Sequence, residues 1–215
     1  MKKIKYVLLA AVCLLLPYQV SAGQNAYIQA SWSLADIGDA NGPYRTTGSA
    51  AYSLDEDVAV GASLGWNLNK NIAVEMKLNY IEGEVTDIDG SAAVAGSQYN
   101  YAVGTIGVNY NIDRFTFDKT GQFAITPYVG AGLGADFGYL DAQKNGENNC
   151  GSGNAESTNS GCASGDNLND SSTVVRASLG GLVELHKNIG LDLNYDYVWG
   201  TVDSHIASAG IRVMF

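Results

Sequence analysis

Residues 189–199 read I-G-L-D-L-N-Y-D-Y-V-W. Ile189, Leu191, Leu193, Tyr195, Tyr197 and Trp199 alternate with Gly190, Asp192, Asn194, Asp196 and Val198. Successive side chains of an extended strand point to opposite faces, so this stretch is a strand with one apolar and one mainly polar side. After Gly200-Thr-Val-Asp-Ser204 the pattern returns in residues 205–215, H-I-A-S-A-G-I-R-V-M-F, where Ala207, Ala209, Ile211, Val213 and Phe215 share a face. A hairpin centred on Val202 sets Asp192 opposite Arg212 and Leu191 opposite Val213.

Six earlier segments follow the same rule. The first runs over 26–34, with Ile28, Ala30, Trp32 and Leu34 on its apolar face; the second, over 58–68, shows Val58, Val60, Ala62, Leu64, Trp66 and Leu68. The third sets Ile72, Val74, Met76, Leu78 and Tyr80 against Ala73, Glu75, Lys77 and Asn79. In the fourth, Ala102 to Tyr110 alternate cleanly, while the phase around Tyr99 and Tyr101 is ambiguous. The fifth opposes Val129, Leu133 and Phe137 to Tyr128, glycines and Asp136; the sixth opposes Val175, Leu179 and Val183 to Arg176, Ser178 and Glu184.

Eight alternating segments make an all-β barrel, and two polarities compete. A water-soluble barrel of the lipocalin kind turns the apolar face inward; a transmembrane barrel turns it toward lipid. Each segment spans about 10 residues, the length of a tilted strand crossing a bilayer. The polar faces hold glycine and serine with few charges, which suits the narrow inside of an eight-stranded barrel better than a solvated surface. Trp66, Tyr80, Tyr110, Tyr195, Tyr197 and Trp199 stand near segment ends on the apolar face, as aromatic girdles require. The expected fold is therefore an eight-stranded antiparallel transmembrane up-and-down β-barrel over 23–215.

The connections support this polarity. N-K-N (69–71) and H-K-N (186–188) are short, and D-R-F-T-F-D-K-T-G (113–121) is of middling length. Those at 36–47, 83–96 and about 141–172 are long, and only G-T-V-D-S breaks the alternation. Short turns would lie in the periplasm with both termini, and long loops outside. L-N-K-N-I-A-V-E-M-K-L-N-Y (68–80) echoes L-H-K-N-I-G-L-D-L-N-Y-D-Y (185–197), and Asn71 and Asn188 fall where such turns accept a left-handed residue.

Residues 1–22 have the form of a secretory signal peptide: Lys2, Lys3 and Lys5, an apolar run to Leu16, then Val20-Ser-Ala22 as the cleavage site. Its loss takes the 12 basic residues to nine against 22 acids, a net charge of −13. Nucleic-acid binding is not expected of so acidic a chain. Cys150 and Cys162 remain and flank the polar N-A-E-S-T-N-S-G. In an exported protein they most simply form one disulfide closing a loop; a metal site lacks a second ligand pair.

The ionisable residues on the inferred interior face are Glu75, Lys77, Asp136, Arg176, Glu184, Asp192, Asp196 and Arg212. Unpaired charges in a tight lumen are expensive, so these should pair and fill it; the rival reading is a narrow gated ion path. Asp203, Ser204 and His205 raise a catalytic alternative, but adjacent residues of a strand point to opposite faces and no nucleophile elbow is present. D-I-D-G (87–90) and G-D-N-L-N-D (165–170) lack the closing Glu of a full calcium loop. Neither metal nor cofactor is expected.

P-Y-V-G-A-G-L-G (127–134), the eight segments and the terminal aromatic strand resemble the outer-membrane β-barrel domain family, which includes the OmpA transmembrane domain, OmpX-like proteins and Opa-type adhesins. The resemblance implies a monomeric, non-enzymatic Gram-negative surface protein serving envelope integrity, adhesion or as a surface antigen. Its implied partners are outer-membrane lipid and lipopolysaccharide, the outer-membrane assembly machinery and a host or cell-surface receptor. Phe215 resembles the terminal aromatic read by that machinery.

Overall fold

Period-two alternation with β-branched and aromatic residues favours pleated strands, and in this chain the strands close on themselves. The computed structural model describes residues 26–38, 40–44, 48–54, 57–88, 91–93, 97–117, 123–143, 162–200 and 202–215. The barrel strands are β1 (Ala26–Ile37), β2 (Asp57–Asn67), β3 (Ile72–Ile88), β4 (Gln98–Asn111), β5 (Ala124–Gln143), β6 (Cys162–His186), β7 (Ile189–Trp199) and β8 (Ser204–Met214). Each pairs antiparallel with its neighbours in sequence. β1 and β8 seal the cylinder over the ladder from Tyr27↔Met214 to Ile37↔Ser204. Closure leaves none of these eight strands with an open edge along its paired length, which a strand in hydrocarbon requires.

The apolar face points outward. Trp32, Leu34, Leu133 and Leu179 are 69%, 70%, 63% and 59% exposed, whereas Gln29, Lys77, Arg176 and Asp196 on the other face are 3% exposed or less. A water-soluble protein would reverse these values, so the barrel is inside-out in the sense that a bilayer demands.

One end of the cylinder is trimmed close. The turn at 68–71 is capped by Asn69, whose Oδ1 accepts the N–H groups of Asn71 and Ile72 at 2.8 and 2.9 Å. Asn71 and Asn188 also tie their turns to the next strand: Asn71 Nδ2 donates to the Asn111 carbonyl at 2.9 Å, and Asn188 Nδ2 to that of Met214 at 2.8 Å. At the opposite end β3, β4, β5 and β6 run to 17, 14, 20 and 25 residues. About 10 residues cross the hydrocarbon core, so these strands stand well beyond it.

The strand lengths correct the expectation of uniform ten-residue segments with irregular loops between them. Residues 162–172 lie in strand and pair with β5 from Cys162↔Gln143 to Ser172↔Asp136, through three register irregularities. The first long connection holds a hairpin, Ala40–Tyr44 on Gly48–Leu54, whose second arm joins β3. Ser91–Ala92 folds back on Asp87–Ile88. Strand pairing continues past the membrane because it satisfies backbone groups that an irregular loop would leave to water. The leader at 1–22, Cys150 and the side chain of Cys162 lie outside the described residues, as do the side chains of 165–170.

The last hairpin corrects the expected register by two residues. Gly190 faces Arg212, and Asp192 faces Gly210. The reason lies in the turn. Val202 is buried among apolar residues and so is not its tip. Asp203 holds the turn instead, taking the Gly200 N–H on Oδ1 at 3.4 Å while its carbonyl accepts Gly38 N–H at 2.9 Å.

Candidate functional site: the filled lumen

Inward residues of the eight strands form two contrasting halves. The half nearer the trimmed end is ionic. Arg212 lies opposite Gly190 rather than Asp192, yet its guanidinium reaches Asp192 Oδ2 diagonally at 2.7 Å, and Glu75 Oε2 at 3.8 Å. Its Nε donates to Gln29 Oε1 at 3.0 Å, and Gln29 Nε2 donates to Asp192 Oδ1 at 3.2 Å. Arg176 contacts Glu75 Oε1 at 3.2 Å. Lys77 donates to Asp196 Oδ2 at 2.5 Å, and Asp196 also accepts from Ser178 at 2.6 Å and Asn194 at 3.2 Å.

Two tyrosines complete this half. Tyr27 donates to Glu75 Oε2 at 2.8 Å and Tyr128 to Asp192 Oδ1 at 2.9 Å. Arg212 lies over the Tyr27 ring with its guanidinium carbon 4.0 Å from the centroid, a cation–π distance. Both rings need glycine beneath them: a Cβ on Gly65 would overlap Tyr27, and one on Gly180 would come within 2.5 Å of Tyr128. Both tyrosines fall on the polar side of the alternation in their strands, Tyr27 between Ala26 and Ile28 and Tyr128 beside Val129. Facing small residues was the available signal.

The half nearer the extended end is apolar. Ala35, Ile37, Ala59, Ile81, Val85, Tyr99, Tyr101, Val103, Val174, Val198, Val202 and Ile206 form one buried cluster. The rule of a polar interior does not extend to this half. Tyr99 and Tyr101, ambiguous in sequence, face inward here. Asp136, 0% exposed, sits among these groups and accepts the Tyr101 hydroxyl at 2.7 Å on Oδ2.

Seven of the eight charged residues named from sequence are therefore buried in the lumen: Glu75, Lys77, Asp136, Arg176, Asp192, Asp196 and Arg212. Glu184 shares their inward phase, opposite the buried Gly190 and Ala124, but is only part-buried. It lies at the trimmed mouth, where Arg114 grips it with bonds of 2.9 and 2.7 Å from Nε and Nη2. A register irregularity between Glu184 and His186 marks the end of the strand there, beyond the layer that the other charges fill.

The outward aromatics divide between the two ends. Trp66 and Tyr110 stand at the trimmed end; Tyr80, Tyr195, Tyr197 and Trp199 stand toward the other. Phe115, Phe117 and Phe123 add to the first set, at 54%, 65% and 45% exposed. Tyr197 meets Trp199 edge-on at 4.3 Å. Ser204 is buried and faces the lumen, whereas His205 is exposed on the outer wall, so the two do not form a nucleophile–base pair. Among the described residues, no three His, Cys, Asp or Glu side chains gather as a metal site.

The fold recurs in known proteins. The family model described as outer membrane protein beta-barrel domain matches residues 7–215. Among solved structures, the chain is similar to OprG from Pseudomonas aeruginosa at 13% identity and a TM-score of 0.58, over 89% of this chain and 96% of that one. It is similar to Ail, the attachment invasion locus protein of Yersinia pestis, at 14% identity and 0.54, over 90% and 100%. Neisserial surface protein A matches at 18% identity and 0.53, over 88% and 97%. No curated protein matches the sequence. With its sheet closed, its apolar face outward and the family model spanning nearly every residue, the chain belongs to the outer membrane protein beta-barrel domain family.

Proposed function

We propose that this outer-membrane barrel is a non-conducting surface protein whose working parts are the strands carried beyond the bilayer. The observation behind this reading is the double filling of the lumen. An ion entering from the trimmed end would meet a lattice of fixed, mutually neutralising charges. It would then have to pass the apolar cluster around Ile81, Tyr101, Val198 and Ile206, each 2% exposed or less. Desolvating an ion through such a layer is prohibitive. A rival reading as a narrow channel would need that layer to open.

The trimmed end, with both termini of the barrel, is assigned to the periplasm, and the extended strands to the cell exterior, following the common asymmetry of such barrels. Residues 1–22 then direct export, Phe215 is read during assembly, and Cys150 and Cys162 form a disulfide in the connection between β5 and β6. The contact made there is with lipopolysaccharide or another cell's surface, in line with the attachment named for the Yersinia pestis barrel. No catalytic role is assigned.

The test is to replace residues 144–161 by a short turn, keeping the arms of β5 and β6. Heat-modifiable mobility on gels should show an intact barrel, while whole-cell binding to host cells or matrix should fall to background. Undiminished binding by the shortened, surface-labelled protein would refute the assignment of function to this hairpin.

A further inference from the structure

The ionic layer stops short of the trimmed end. Between it and the opening lies a chamber of about 520 Å³, with Arg212 and Tyr27 at its floor and Leu182 and Met214 among its walls. Its volume and its place in the mouth of a barrel are those of a small-ligand site. Because the lumen beyond is filled, the chamber is a blind cup rather than a passage. Asp192 and Glu75 already answer the charge of Arg212, so the floor is close to neutral.

Two connections supply the rim: Lys70 stands in the turn between β2 and β3, and Asp113 and Arg114 follow β4. Arg114 is paired with Glu184. The side chains of Lys70 and Asp113 have no partner among the described residues. The cup thus carries one free ammonium and one free carboxylate, on different connections. Asn67, Asn111 and Thr126 also line it, and their side chains hold no hydrogen bond among the described residues. An asparagine amide both donates and accepts.

These groups discriminate among ligands. A phosphate would be repelled by Asp113 and Glu184, and a simple cation by Lys70 and Arg114. A neutral sugar would leave both free rim charges unanswered. A molecule with one carboxylate and one ammonium, joined by peptide groups, meets the rim charges and the wall amides together.

We propose that the cup at the trimmed end binds a short dipolar peptide. Its carboxylate lies against Lys70, its ammonium against Asp113, and its amide groups against Asn67, Asn111 and Thr126. The orientation given above turns this cup to the periplasm, so the peptide comes from the stem peptides of the cell wall or from the free periplasmic pool. Binding by the isolated protein does not depend on that orientation.

The test is calorimetric titration of the refolded barrel, in detergent micelles at low ionic strength, with trialanine, its N-acetyl form and its C-terminal amide. Trialanine should bind in the millimolar range. Loss of either terminal charge should weaken it about fivefold, the upper end of what an exposed ion pair supplies. Lys70→Met should abolish the difference between acid and amide, and Asp113→Asn that between free and acetylated amine. Asp36→Asn, at the opposite end, should change neither. Equal binding of the three peptides, no binding of any, or variants that weaken all three alike would overturn the proposal, as would tighter binding of N-acetylglucosamine than of trialanine. Retention of the barrel on purified sacculi, lost in Lys70→Met, would identify the wall as the source; trialanine binding without such retention would identify the free pool.

Discussion

Replacing Arg212 by leucine removes the cation that joins most of the ionic half of the lumen. Arg212 is 6% exposed and stands between Asp192 at 2.7 Å, Glu75 at 3.8 Å and the Gln29 amide at 3.0 Å. Glu75 keeps Arg176 and Tyr27, and Asp192 keeps Gln29 and Tyr128. One negative charge is nonetheless left without its counter-ion in a site shielded from water. Removing one partner of a buried pair typically costs about 3–5 kcal/mol. The assay is reversible urea unfolding of the refolded barrel in detergent micelles, read by tryptophan fluorescence. The midpoint should fall by more than about 1 M for slopes of 1–3 kcal/mol per molar. Arg212→Leu combined with Asp192→Leu should recover much of the loss, because the orphaned carboxylate goes with it. The exposed Arg114–Glu184 pair is the contrast: Arg114→Ala should cost no more than about 1 kcal/mol. A loss below about 1 kcal/mol for Arg212→Leu, or no recovery in the double variant, would mean that the buried charges do not depend on one another.

Other substitutions separate the two faces of the wall. Leu193→Arg, facing lipid, should destabilise the barrel by about 2–4 kcal/mol, whereas Ser208→Ala, which removes the buried 2.7 Å bond to Ser33, should cost about 0.5–1.5 kcal/mol in the same unfolding assay. Ile206→Ala empties part of the apolar half and should cost about 2–5 kcal/mol; a neutral result would mean that this half is not packed. Deleting Phe215 should lower the amount of heat-modifiable barrel in outer-membrane fractions, and wild-type levels would remove its assigned part in assembly.

The barrel was legible where its two faces differ most. In β7, aspartates and asparagine against leucine, tyrosine and tryptophan leave a single phase, and Ile189 to Trp199 are bounded as the alternation implies. Legibility failed where both faces are apolar. Tyr99, Tyr101 and Val103 are no more polar than the residues between them, so periodicity alone could not orient them, and the apolar half of the lumen went unseen. A trace was present: Val198 occupies a position in β7 that otherwise holds Asp192, Asn194 and Asp196.

Charged residues were found by phase and not by register. Arg212 and Asp192 meet despite an error of two residues, because a shift of two in the pairing keeps every side chain on its own face and the long arginine reaches its partner diagonally. Hydrogen bonds from Tyr27, Tyr128 and Gln29 depend on which strands become neighbours after closure, which no local pattern encodes. The extended arms of β5 and β6 were hidden for a different reason. Outside the membrane, neither face need be apolar, so strand residues such as 162–172 read as a polar loop.

Ion conductance separates a filled lumen from an open one. The refolded wild-type chain, inserted in a planar lipid bilayer with insertion verified by heat-modifiable mobility of the same sample, should give no current steps above the leak of the bare membrane. Stable, reproducible open-channel steps from the folded barrel would contradict the filled lumen.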